Sequence, residues 1–120
     1  MKKYTQDHEW LLLVEDTIAT VGITEYAATQ LGDIVYVDLP NTDDNVNKGE
    51  EVVVIESVKA AGEVMAPCSG KIVAVNEVLN ENAELAGTDP EDEGWLFKIQ
   101  LEDANEIEGL MNQEEYEALT

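Results

Sequence analysis

Val52-Val53-Val54-Ile55-Glu56-Ser57-Val58-Lys59-Ala60-Ala61-Gly62 is a β-branched apolar run that breaks into small residues around a single lysine. Valine and isoleucine are stiff at χ1 and suit a pleated strand, so residues 52–55 read as strand and 56–62 as its turn. The same theme recurs on both sides. Gly49 precedes the first run, Gly70 precedes Ile72 to Val75, and Val64-Met65-Ala66-Pro67 lies between. The connections are too short for crossover helices, which predicts antiparallel strands of a compact sandwich or flattened barrel.

Working outward, Trp10–Val14 and Ile18–Val21, separated by Glu15 and Asp16, predict a first hairpin. Thr24 stands at an N-cap position, Glu25 favours a helix N-terminus and Gly32 follows Leu31, predicting one short helix over 25–31. Ile34–Leu39 is strand-like up to Pro40, and Asn41–Asn45 is a polar turn. Gly94-Trp95-Leu96-Phe97-Lys98-Ile99 predicts a last strand. Beyond it, Asp103 with Glu106 and Asn112 with Glu115 each have the spacing of a capping box and open two short helices. Such acidic helices need tertiary anchoring, expected from Ile107, Leu110, Met111, Tyr116 and Leu119. Residues 1–120 are expected to form one domain, with 103–119 as its helical end.

The chain has 120 residues, 44% hydrophobic and 28% charged, a composition that permits a buried core. Its longest apolar run, Trp10–Val14, is far short of the ~20 residues of a membrane span, and no signal sequence is visible. Six lysines, no arginine and 27 acids give a net charge of −21, and residues 76–120 carry 14 acids against Lys98 alone. Phosphate backbones and anionic lipids are repelled, so neither nucleic acid nor membrane is an expected partner; basic protein surfaces or cationic small molecules are, with solubility alone as the plain alternative. The one cysteine, Cys68, has no partner for an internal disulfide, which suits a reducing cytoplasm.

Most catalytic constellations fail. Ser57 and Lys59 lack the spacing of a helical nucleophile and base. Cys68 between Pro67 and Ser69 reads as a packing residue more readily than as a dyad with His8. Asp89-Pro90-Glu91-Asp92-Glu93-Gly94 imitates the opening of a calcium loop, but its twelfth position is Gln100 and proline occupies the second, so it reads as a solvated acidic turn. What remains is Lys59, an amine on an exposed turn among small side chains, the form a modifying enzyme needs; a plain solvated lysine is the alternative.

The segment Val54-Ile55-Glu56-Ser57-Val58-Lys59-Ala60 resembles the lipoylation motif of the glycine cleavage system H protein family. The resemblance extends over the chain: Tyr4–Trp10, Val21–Thr24, Leu31–Val35, Ala66–Gly70 and Gly94–Ile99 fall in that family's order and spacing. It implies a mainly β, barrel-sandwich hybrid fold with a lipoyl/biotinyl-type hairpin, a short internal helix and C-terminal helices. It also implies that lipoate is joined to Lys59 through an amide, and that Glu56 and Gly70 help the lipoate-attaching enzyme recognise the hairpin. Biotinyl carriers share the hairpin but usually flank their lysine with methionines, where this chain has Val58 and Ala60.

By the same resemblance the chain is a carrier and not an enzyme. A pyridoxal-phosphate glycine decarboxylase would load an aminomethyl group on lipoyl-Lys59, an aminomethyltransferase would pass the one-carbon unit to tetrahydrofolate, and an FAD-dependent dihydrolipoyl dehydrogenase would reoxidise the arm. The loaded arm would fold into a cleft where Glu9, helped by Asp7 and Glu63, holds its amine. A lysine stem, an amide and an eight-carbon acid reach roughly 12–15 Å, enough to visit separate active sites, and tethering raises the local concentration of the intermediate. A monomer in the cytoplasm is expected. The family usually has Ser-Asp where this chain has Gly62-Glu63, and an aliphatic residue where it has Cys68. A related lipoyl carrier, a biotinyl carrier and an unmodified binding domain are the alternatives.

Overall fold

Antiparallel pairing sorts the strands into two sheets. The computed structural model describes residues 2–15 and 17–120. Among these the strands are β1 (Lys2–Tyr4), β2 (Glu9–Leu13), β3 (Ile18–Ile23), β4 (Ile34–Asp38), β5 (Asn45–Val46), β6 (Glu51–Ser57), β7 (Ala61–Met65), β8 (Gly70–Val75) and β9 (Phe97–Leu101). A six-stranded sheet runs β1-β2-β3-β9-β8-β5 and a three-stranded sheet runs β4-β6-β7. Between them lies the core, in which Leu11, Val21, Ile34, Val53, Ile55 and Phe97 are buried. Each fully buried side chain of this kind contributes roughly 1.5–3 kcal/mol before entropy is counted.

The run that opened the reading is a hairpin, β6 paired with β7 in the register Ile55↔Gly62 and Glu56↔Ala61. The third run of the same theme does not extend it. Residues 66–69 lead the chain across the core, and β8 joins the other sheet between β5 and β9. Gly70 is where it arrives, and a Cβ there would run into the Gln100 carbonyl oxygen. The glycine is required by close approach of backbones and not, as a tight-turn role would demand, by a left-handed backbone.

Helix α1 (Glu25–Leu31) has the predicted bounds. The Thr24 hydroxyl accepts from the Ala27 N–H, and the chain leaves at Gly32 with φ 81° and ψ −148°, a region open in practice only to glycine. The predicted N-terminal hairpin forms as β2 and β3; Asp16, assigned to its turn, lies outside the described residues. Two short helices, α2 (Val78–Glu81) and α3 (Leu85–Thr88), occupy the acidic stretch where no helix is signalled. Neither has a side-chain cap, and burial of Leu79 and Ala86 holds them instead.

At the C-terminal end the two capping predictions diverge. Asn112 and Glu115 form a full capping box on helix α4 (Gln113–Leu119). Asp103 caps a 3-10 helix (Ala104–Gly109), but the Glu106 carboxylate turns away to accept from the Ser69 N–H at 2.9 Å. Tyr4, Trp10 and Tyr116 make a second apolar cluster beneath α4, and Tyr4 pairs with Met111 as an isolated bridge. Ile107, Leu110, Met111 and Tyr116 anchor the segment as expected; Leu119, 52% exposed, does not.

Candidate functional site

Lys59 stands at the tip of the β6–β7 hairpin, and its backbone is tied from both sides. The Ser57 hydroxyl donates to the Ala60 carbonyl at 2.9 Å and accepts from the Lys59 and Ala60 N–H groups at 3.2 and 3.1 Å. Ser57 thus supplies from one side chain what a longer backbone turn would supply. Val58 N–H donates to the Asp33 carbonyl at 3.0 Å, joining the tip to the loop after α1. The side chains are left outside: Lys59 and Ala60 are exposed, and Val58 is 67% exposed. A Cβ on Gly32 would come within 3.1 Å of Lys59 Cε, so the missing side chain at 32 gives the lysine stem its bed.

Beside the tip a cleft of about 190 Å³ opens between α1, β7 and the loop before β2. Asp7, Glu9 and Glu63 all line it, and Leu31, Ile55 and Val64 supply apolar wall. The Gly62-Glu63 pair has a local reason: a Cβ on Gly62 would lie 3.0 Å from Leu31 Cδ2, so glycine lets α1 close against the hairpin.

Glu9 is the unusual group in this cleft, with only 2% of its surface exposed. Its carboxyl bridges the sheets, Oε2 accepting from the Met65 N–H at 2.8 Å and Oε1 from the Thr5 hydroxyl at 2.9 Å. Burial pushes its pKa from 4.5 to about 7, against the lowering by those two hydrogen bonds, and Asp7 raises it slightly further. A buried carboxyl whose partners among the described residues are a hydroxyl and a backbone N–H, at the wall of an apolar cleft, is suited to receive a positive group.

The Glycine cleavage H-protein family model matches residues 2–120. The chain belongs to the glycine cleavage H-protein family. It is 57% identical over 117 residues to the glycine cleavage system H protein of Thermotoga maritima, covering 98% of this chain and 94% of that one. To the corresponding protein of Shigella dysenteriae serotype 1 it is 50% identical, over 98% and 91% of the two chains. A crystal structure of a glycine cleavage system H protein from Mycobacterium marinum superposes with a TM-score of 0.88 at 35% identity, covering 98% of this chain and 94% of that one. The mainly β two-sheet architecture is therefore the family's.

Within this member of the H-protein family, the remaining sequence-derived residues separate. Glu56 is exposed at the last pair before the turn, opposite Ala61 and Tyr36. Gly70 lies buried in the other sheet, at the start of β8 opposite Val46 and Leu101. Cys68 is sealed in the core, where burial and then Glu106 push its thiol up to about 11, while His8 is engaged by Tyr116. The acids of 89–94 turn to different partners: Asp89 to the Glu93 N–H, Glu91 to Lys2 and the Glu25 N–H. Gly32 and Leu31 were not read as part of the site, and Ser57 and His8 were weighed only as catalytic candidates that failed. Gly32 carried a signal as a helix stop, but its place under Lys59 is a long-range contact.

Proposed function

We propose that Lys59 is the point at which the chain, a lipoyl carrier of the glycine cleavage system by its family, holds lipoate through an amide. The observation that carries this is the pairing of an exposed amine on a tied turn with a cleft, next to it, that ends in a buried carboxyl. The residues fit such a group: the stem has a bed at Gly32, and Leu31, Ile55 and Val64 offer apolar surface to a hydrocarbon arm. When bound, lipoate supplies a disulfide that accepts the aminomethyl unit and a dithiol that is reoxidised.

The chain's own residues do the rest. Ser57 fixes the turn from which the amine projects, and Glu56 on the hairpin, with Gly70 where the following strand packs on β9, gives the lipoate-attaching enzyme a shape to recognise. Glu9 meets an arriving ammonium. Because its carboxyl titrates near 7, the cation's field drives off its proton, and the charged pair forms where water has little access. Asp7 and Glu63 add negative potential at the mouth. Protein partners are glycine decarboxylase, aminomethyltransferase and dihydrolipoyl dehydrogenase, met in the cytoplasm by a monomer whose charge of −21 steers basic surfaces toward it. The chain itself catalyses no bond change.

Intact mass of the protein from lipoate-replete cells, followed by fragmentation, tests this. A lipoyl-sized adduct on Lys59 is expected. A biotin-sized adduct, or a chain left unmodified that a lipoate ligase also refuses, would overturn the assignment.

A further inference from the structure

Tyr116 belongs to α4, lies outside the cleft and is only 6% exposed. Its ring stacks on Tyr4 with centroids 4.7 Å apart and planes 10° from parallel, which fixes the residue independently of its hydroxyl. That hydroxyl is 2.7 Å from His8 Nδ1 and 2.7 Å from Thr24 Oγ1. Both neighbours matter to the cleft. Thr24 caps α1, the helix that supplies Ala27, Gln30 and Leu31 to the cleft wall. His8 is flanked in sequence by Asp7 and Glu9, and all three line the cleft.

His8 is also held in a conformation that a side chain disfavours, with φ 67°. Several contacts hold it there. Its N–H donates to the Thr5 carbonyl at 3.2 Å, its carbonyl accepts from the Thr24 N–H at 3.0 Å, Tyr26 packs on its ring at 4.6 Å, and the Tyr116 hydroxyl takes Nδ1. A left-handed residue turns the chain sharply, so the directions in which Asp7 and Glu9 leave it depend on His8 staying there. Strain of this kind persists only where the surroundings over-determine it.

We propose that Tyr116 is a positioning residue for the arm cleft: by tying His8 to the α1 cap, its hydroxyl fixes the loop that aims Asp7 and Glu9 at a bound amine. The C-terminal helix is then part of the machinery that retains the charged arm, and its displacement loosens that hold. This rests on the carrier reading for the identity of the amine, but the loop geometry stands without it.

Tyr116→Phe removes the hydroxyl and keeps the stack on Tyr4. In the unlipoylated protein, NMR of wild type and variant should show displaced His8 ring signals, displaced amide signals of Glu9 and Met65, and a changed titration midpoint for the Glu9 carboxyl. In lipoylated, aminomethyl-loaded protein, ammonia release should be about fivefold faster with little change in thermal midpoint. His8→Asn, a residue that tolerates positive φ, should accelerate release similarly, and the double variant should add little to either single one. Should Tyr116→Phe fold poorly, His8→Asn carries the same comparison. Unchanged cleft signals, or displaced signals with a wild-type release rate, would overturn the positioning role. A wild-type chain that takes no adduct on Lys59 would instead overturn the carrier reading, with the NMR comparison still deciding the loop.

Discussion

Lys59 and Glu9 are the two ionisable groups on which the proposed function rests, and the fold treats them in opposite ways. The lysine has its backbone tied and its side chain exposed; the glutamate has its side chain tied and nearly all of its surface withdrawn from water. In the proposed function, one end presents chemistry to other proteins, and the other keeps a carboxyl in reserve for the chain's own cargo. Rigidity serves both ends, through a serine hydroxyl at the tip and through a carboxyl bridging two sheets in the cleft.

The most severe test of this contrast is Lys59→Arg. It should abolish lipoylation completely while leaving the thermal midpoint essentially unchanged, since the Lys59 side chain is exposed; a fully lipoylated variant by mass would remove Lys59 from the site. Glu9→Gln comes next. Because burial raises the Glu9 carboxyl from 4.5 to about 7, the folded chain binds that proton more tightly than the unfolded one. Its contribution is present below 4.5 and is lost as the pH rises through about 7. The stability of Glu9→Gln relative to wild type should therefore rise across that window, by on the order of 3 kcal/mol in full. Denaturant melts at several pH values read it, and a flat difference would mean the carboxyl is solvated after all.

Smaller effects separate bed from turn. Gly32→Ala forces a Cβ into φ 81° and against the Lys59 stem, which should cost about 2 kcal/mol by denaturant melt and slow lipoylation. Ser57→Ala should cost about 1 kcal/mol while leaving the hairpin register intact. If Ser57→Ala slows lipoylation no more than a surface control, the tied turn does not matter for recognition.

The sequence made one half of this contrast easier to see than the other. A β-branched run ending in small residues around a lysine is a local pattern, as are the Thr24 cap and the Asn112–Glu115 box, and all three appear where local chemistry puts them. The withdrawal of Glu9 is not local. It depends on Met65 from the other sheet, on Thr5 and on the apolar walls of α1 and β7, so resemblance could name the residue while the residues alone could not. Helices α2 and α3 were invisible for a related reason, since they lack side-chain caps and exist through what Leu79 and Ala86 bury. The path of β8 into the six-stranded sheet was likewise unreadable, because a short turn permits either return or crossing.

The Ser57 and Val58 bonds at the hairpin tip have a consequence for any protein that docks on this turn. Ordering a backbone residue costs roughly 1–2 kcal/mol of conformational entropy, and a loop that ordered only on docking would incur that cost for each of its residues at each encounter. Here the loss is taken once, when the chain folds. Successive partners meet the same outline, so a brief and weak embrace is enough for each, and a carrier that must leave every partner is spared the tight grip that would hold it there.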